Sequence, residues 1–183
     1  RPRDNGVAVD GTVDFGNADN RFKDLYLSGG VVFGATGGSV TGKTLDDYEE
    51  GTWTPGMKGH ASGNTMSVNS EGSYVKIGNQ VTVNFIVTTT SVGSASGSLQ
   101  ITGLPFTVAD ILTSTGIESN GKGSYWSGFS TSINSLGYTT EGGTNILYVY
   151  GCTSSTQTSV SSVTVAHIGS SAAIRGTISF RST

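Results

Sequence analysis

Charge is scarce in this chain: 13% of its 183 residues are Asp, Glu, Lys or Arg, about half the share of an average soluble protein. Ten basic residues against thirteen acidic ones leave a net charge of −3, which supplies none of the cationic surface that a nucleic-acid backbone or an anionic lipid requires. Neither is an expected partner. The single cysteine, Cys152, can close no internal disulfide and build no thiolate metal site by itself, so stability must come from packing or association. No apolar run approaches the roughly 18 residues of a membrane-spanning helix, and Arg1-Pro2-Arg3-Asp4 is followed by no apolar signal core. Membrane insertion is not expected, and no motif asks for a cofactor or a metal.

What fills the space is Gly, Ser and Thr, at 28, 26 and 25 residues, about four in ten of the chain. Gly and Ser are poor helix formers, whereas Thr, together with the Val, Ile, Tyr and Phe present here, suits a pleated surface. The composition predicts an all-β protein.

The charges divide the chain. Residues 1–50 hold nine of the thirteen acids and five of the ten bases, and the remaining 133 residues hold only Glu71, Asp110, Glu118 and Glu141 against Lys58, Lys76, Lys122, Arg175 and Arg181. That shift predicts a boundary near 45–55, with one segment at 1–44 and a second at 45–183. In the first, apolar pairs and triplets such as Val7-Ala8-Val9, Val13-Asp14-Phe15, Leu25-Tyr26-Leu27 and Val31-Val32-Phe33 recur between Gly, Asp and Asn turns. Strands so short cannot bury a core alone. The segment therefore reads as a fibre shaft in which identical chains wind together. Val7, Val9, Val13, Phe15, Leu25, Leu27, Val31 and Phe33 would supply the contacts between chains. Thr44-Leu45-Asp46-Asp47-Tyr48-Glu49-Glu50 reads as a short helix opening the second segment, with Thr44 as N-cap, acids in the first turn and Gly51 as terminator.

From Trp53 onward strand patterns dominate. Val81, Val83, Phe85 and Val87 alternate with Thr82, Asn84 and Thr88, and Ile174, Gly176, Ile178 and Phe180 alternate with Arg175, Thr177, Ser179 and Arg181. Further strands are expected at 72–77, 98–102, 124–133, 145–150 and 161–168. Seven or eight short strands at this spacing describe an antiparallel β-sandwich of jelly-roll type.

Several motifs promise chemistry. Gly37-Gly38-Ser39-Val40-Thr41-Gly42-Lys43-Thr44 satisfies the phosphate-loop pattern, but no long helix follows it, no apolar strand ends in the Asp that would hold magnesium, and no βα alternation surrounds it. It reads as a solvated hinge. His60 and His167 are the only histidines, and His167, on an apolar strand, reads as structural. Gly128-Phe129-Ser130-Thr131-Ser132 lacks the second Gly of a nucleophile elbow. Glycoside cleavage needs two carboxyl groups flanking one bond, and the four acids beyond residue 50 all sit in turn-like sequence. No catalytic residue is assigned. The aromatics say more: Tyr125, Trp126, Phe129 and Tyr138 cluster in a stretch otherwise made of Ser, Gly, Thr and Asn. Neighbours on a strand face opposite ways, so one of Tyr125 and Trp126 is expected in the core and the other in solvent. A ring face among polar side chains suits a neutral glycan, and these four residues form the candidate receptor site; the other reading places all four in the core or between subunits.

Three stretches together resemble the C-terminal receptor-binding region of tailed-bacteriophage tail fibre and tailspike proteins: Asn20 to Gly30, Leu45-Asp46-Asp47-Tyr48-Glu49-Glu50-Gly51-Thr52-Trp53-Thr54-Pro55, and Gly72 to Val83 with Leu99 to Phe106. Beyond Phe106 only the closing strand, Arg175 to Phe180, shares the likeness. The resemblance implies a homotrimeric fibre tip in the virion tail, extracellular, binding a bacterial surface polysaccharide or an outer-surface protein. It carries over no catalytic residue. Many such fibres end in a self-cleaving helical chaperone, which this chain is expected to lack or to have lost, and the start at Arg1 suggests a piece of a longer fibre. Two rivals remain: a tailspike enzyme that depolymerises polysaccharide, and a purely structural virion fibre.

Overall fold

The computed structural model describes residues 3–4, 6–8, 15, 17–28, 31–32, 44–45, 47–61, 63–111, 117–154 and 158–183. Among them the secondary structure is β apart from one 3-10 turn at Val165–His167, and no α-helix occurs. Two small antiparallel pairs come first: β1 (Arg3–Asp4) with β2 (Val7–Ala8), and β3 (Val31–Val32) with β4 (Thr44–Leu45). The other strands form one sheet of ten. They are β5 (Tyr48–Trp53), β6 (Gly56–Gly59), β7 (Ser67–Ile77), β8 (Gln80–Ser91), β9 (Leu99–Thr102), β10 (Ile117–Phe129), β11 (Ser135–Glu141), β12 (Ile146–Cys152), β13 (Ser161–Ser162) and β14 (Ile168–Arg181). The sheet order is β5-β7-β8-β14-β10-β11-β12-β9-β6, with β13 attached to β12. Every neighbouring pair is antiparallel.

The alternation read from the sequence sets the two faces. In β8, Val81, Val83, Phe85 and Val87 are buried, and β14 contributes Ile174, Ile178 and Phe180 to the same core. This single sheet makes a two-sided core by curling over itself. Phe85 on β8 and Tyr138 on β11 are separated by two strands in the sheet order, yet their rings meet edge-on at 5.2 Å. The Thr89 hydroxyl of β8 likewise reaches Met57 Sδ of β6 at 3.6 Å. Room for the Tyr138 ring is left by Gly123 and Gly176, which pair across β10 and β14; a Cβ on Gly176 would lie 2.2 Å from Tyr138 Cε2. The strand expected at 72–77 and the one that opens at Val81 are the arms of a hairpin, β7 and β8, turning at Gly78, whose φ of 58° is a conformation that favours glycine.

The expected helix at 44–50 is not formed. Thr44–Leu45 pairs with Val31–Val32, and Tyr48–Trp53 is the strand β5 on the sheet edge. The acids that would have complemented a helix N-terminus find partners across strands. Asp47 forms an ion pair with Lys76, and Glu49 accepts a 2.5 Å hydrogen bond from the Tyr74 hydroxyl. One or two turns of helix are marginal in water, and a ladder with a long neighbour outcompetes them. Gly51, expected to end the helix, lies mid-strand against the Tyr74 ring. The expected strand at 161–168 breaks after two residues into the 3-10 turn, where His167 Nδ1 accepts the Thr164 backbone N–H at 3.2 Å; His167 thus caps a turn and does not lie on the apolar strand expected there. Strands β5, β6 and β11 carried no signal strong enough to be expected. Residues 9–14, 33–43, 46 and 112–116 lie outside the described residues, and with them fall Val9, Val13, Phe33 and seven residues of the phosphate-loop match.

Candidate binding surface

The register fixes which side chains leave the core. Opposite the buried Phe85, Gly176 and Trp53, the outer face carries Thr52 on β5, Ser73 and Glu71 on β7, Asn84 on β8 and Arg175 and Thr177 on β14. These groups line an open trough of about 1350 Å³. The Thr177 hydroxyl donates to Asn84 Oδ1 at 2.6 Å, which orients the amide. The Asn84 backbone carbonyl accepts the Trp53 indole N–H at 3.3 Å, tying the trough floor to the core beneath. Glu71 is the carboxylate of the lining and Arg175 its guanidinium. Hydroxyls and amides that both donate and accept, with one charge of each sign, suit a polyhydroxylated neutral ligand better than a phosphate or a polycation.

Of the four aromatic residues expected to form the receptor site, one stands beside this trough. Tyr125 is 50% exposed and pairs in register with Arg175, whose guanidinium carbon lies 5.5 Å from the Tyr125 ring centre. Trp126 faces the other way, as alternation requires: it packs half-buried against the core and donates its indole N–H to the Ile133 carbonyl at 3.0 Å. Phe129 is also half-buried against the core. Tyr138 is no surface residue: it is 1% exposed, and its hydroxyl donates to the Arg175 carbonyl at 3.1 Å. Burial holds its phenol far above the ordinary tyrosine range. It was placed with the surface aromatics because the sequence around it is polar. Most of that polarity belongs to the outward alternates of β11, with Thr140 buried on the inner side, and the glycines that make room for its ring lie on other strands.

Sequence reasoning also missed Arg175, Asn84, Glu71 and Thr177 as candidate contacts. For Asn84, Arg175 and Thr177 the signal is present, since each is an outward alternate on a strand with clear alternation; Glu71 stands one residue before the strand expected at 72–77, in sequence that reads as a turn. Among the described residues no three His, Cys, Asp or Glu side chains converge in a metal-holding arrangement, and no helix is long and apolar enough to cross a membrane.

No protein-family model matches the sequence, and no curated protein does. Among solved structures, the chain is similar to the crystal structure of the Dettilon tailspike protein, with a TM-score of 0.59 at 17% identity. The two share a fold. The likeness covers 74% of this chain and 24% of the tailspike, so this chain spans about a quarter of that protein's length.

Proposed function

We propose that this chain is the receptor-binding tip of a bacteriophage tail fibre or tailspike, carried in the virion tail, which attaches to polysaccharide on the bacterial surface. The observation that carries the reading is the open trough of hydroxyl and amide groups bordered by the Arg175–Tyr125 stack, on a fold that a tailspike also uses. The tail-fibre-like stretches in the sequence point the same way. A rigid aromatic ring beside adaptable polar groups gives contact area at low entropic cost. The action is attachment without cleavage: Glu71 is the one carboxylate among the described residues lining the trough, and the usual hydrolysis of a glycosidic bond takes two.

The working form is a homotrimer, with a shaft at 1–44 and a head at 45–183. Phe15, Phe22, Leu25, Tyr26 and Leu27 are exposed in the single chain, and so are Tyr48, Val75 and Ile77, which share the outer face at the start of the sheet. Apolar side chains gathered in this way find cover in neighbouring copies. Three tips on one fibre then turn weak single contacts into firm attachment through effective concentration.

Adsorption of the purified chain to host cells tests the reading. Tyr125→Ala and Arg175→Ala are each expected to lower cell binding at least tenfold while the melting temperature stays within about 2 °C, since both changes lie on the surface. Unchanged binding by both variants would move the site elsewhere. Binding that survives removal of surface polysaccharide but not protease treatment of the cells would make the receptor a protein.

A further inference from the structure

A second polar cluster lies across β6, β9, β11 and β12, on strands that contribute nothing to the trough. Lys58 pairs with Gln100, and Gln100 with Tyr148. Their sequence neighbours Met57, Ile101 and Leu147 are buried on the opposite, core-facing side. Gln100 therefore belongs to the outer face, where water should reach it, yet it is 1% exposed. Its Nε2 lies 3.1 Å from His60 Nδ1, and its Oε1 has no hydrogen-bond partner. The Tyr148 hydroxyl donates to Glu141 Oε2 at 2.5 Å, and the His60 and Tyr148 rings stand tilted at 6.3 Å between centres. Burial, helped by the Glu141 carboxylate and opposed by a hydrogen bond from the Gln100 side chain, pushes the Tyr148 phenol up to about 12. A buried carbonyl oxygen without a donor is rare in native structures, and this amide meets an exposed histidine through its Nε2, beside Tyr148, whose hydroxyl bonds a carboxylate.

We propose that this cluster is a second saccharide-binding site, in which a sugar hydroxyl supplies the donor that Gln100 Oε1 lacks. His60, exposed in the turn after β6, covers the amide and swings aside as the ligand enters. Glu141 and the Tyr148 hydroxyl then hold a neighbouring sugar hydroxyl, and the Tyr148 ring is the apolar wall. Among the described residues the ionisable groups on these strands and their turns are Glu141, with Asp110 against the adjoining Gly142, Lys58, His60 and the phenols of Tyr148 and Tyr150. That balance favours a neutral pyranose with adjacent hydroxyls over a phosphate or a uronic acid. The site's chemistry stands on these residues; only the source of the sugar, a bacterial surface, rests on the attachment function proposed above. Two sites on each chain would multiply the contacts of a fibre tip.

The full chain titrated with the methyl glycosides of glucose, galactose and mannose and with N-acetylglucosamine, up to about 50 mM to reach a millimolar site, tests this by NMR. Saturating shifts of the Gln100 side-chain amide and the His60 ring are expected with at least one sugar. Glu141→Gln and Tyr148→Phe keep shape and ring, and each is expected to weaken that sugar about tenfold. Gln100→Leu fills the same space without an orphan acceptor, so it is expected to abolish the His60 shifts at an unchanged or higher melting temperature. No shifts with any of the four sugars would overturn the proposal, as would wild-type affinity in both Glu141→Gln and Tyr148→Phe. Cell adsorption reports the attachment function separately. A chain that adsorbs through Tyr125 and Arg175 without these shifts loses this site alone, and one that shows the shifts without adsorbing keeps it.

Discussion

Phe15 and Tyr26 are 72% and 90% exposed, whereas Val81 and Val87 are at 0%, although all four come from short apolar patterns set between turn residues. The difference lies in strand pairing: Phe15 and Tyr26 belong to no strand, and the strands of their segment are short. β8 runs for 12 residues and is flanked by β7 and β14, of 11 and 14 residues, so each inward side chain is walled on both sides and then roofed by the far half of the curled sheet. β1 to β4 are two residues long, with one partner each. Isolated two-stranded pairs are marginal in water. The same strand-forming composition thus makes a self-sufficient core in one part of the chain and, in the other, surfaces that need a neighbour.

The largest expected effect breaks the comparison at its boundary. Deleting residues 1–44 is expected to leave a cooperative melt, because the sheet closes its own core, while the sedimenting mass falls from that of three chains to that of one. A truncated chain that remains trimeric would place the contacts on the outer face around Tyr48, Val75 and Ile77. A full chain that sediments as a stable monomer would end the account of the shaft.

Next in size is a change that tests how tightly the sheet region is packed. Gly176→Ala sets a methyl 2.2 Å from a ring atom of the buried Tyr138, and overpacking a fixed site of this kind costs about 3 kcal/mol, or about 10 °C in melting temperature. Phe22→Ala, in the exposed segment, is expected to move the melt of the sheet by less than about 0.5 kcal/mol. Calorimetry on both variants compares the two regions directly, and equal effects would erase the distinction.

A smaller effect comes from alkali. Tyrosines of the unfolded chain ionise near pH 10, but Tyr148 is held up to about 12 and Tyr138 higher still, the first cause in both being burial. The unfolded state then binds fewer protons than the folded one. Stability is therefore fully present below about pH 10 and falls as pH rises toward and past 12. The slope from Tyr138 is about 1.4 kcal/mol per pH unit, with a lesser share from the half-buried Tyr148. Melting temperatures between pH 9 and 11.5 are expected to drop more steeply in the wild type than in Tyr138→Phe; parallel curves would contradict the burial of the phenol. The smallest effect belongs to the early segment: Lys43→Ala is expected to leave folding and adsorption unchanged, and ATP or GTP is expected to stabilise neither form. A nucleotide that raised the melting temperature of the wild type alone would restore the phosphate loop.

Much of the fold was legible because period-two alternation is a local property. Val81 to Val87 and Ile174 to Phe180 announced both their strand character and their inward face. The acids at 46–50 misled, because a run of acidic residues beside a Thr has the same appearance whether it complements a helix end or pairs across strands. Only the partners Lys76 and Tyr74, more than 20 residues away, decide between the two. The candidate site was half legible. Alternation required Tyr125 and Trp126 to part, but nothing nearby said which would be outside, and nothing near Tyr138 showed the glycine gap at positions 123 and 176 that admits its ring.

By itself the sequence determined the all-β class, through its Gly, Ser and Thr content, and the inward faces of its two best-patterned strands. It also determined the scarcity of charge from which no nucleic-acid partner is expected. Tertiary structure decided the rest: that one sheet curls to face itself, that Arg175 meets Tyr125, and that Gln100 is buried on a face its neighbours leave open. The reason is physical. Alternation assigns each side chain to one of two faces within a few residues of chain, whereas what covers a face is set by strands far away in the chain, through register and curvature that no local pattern encodes.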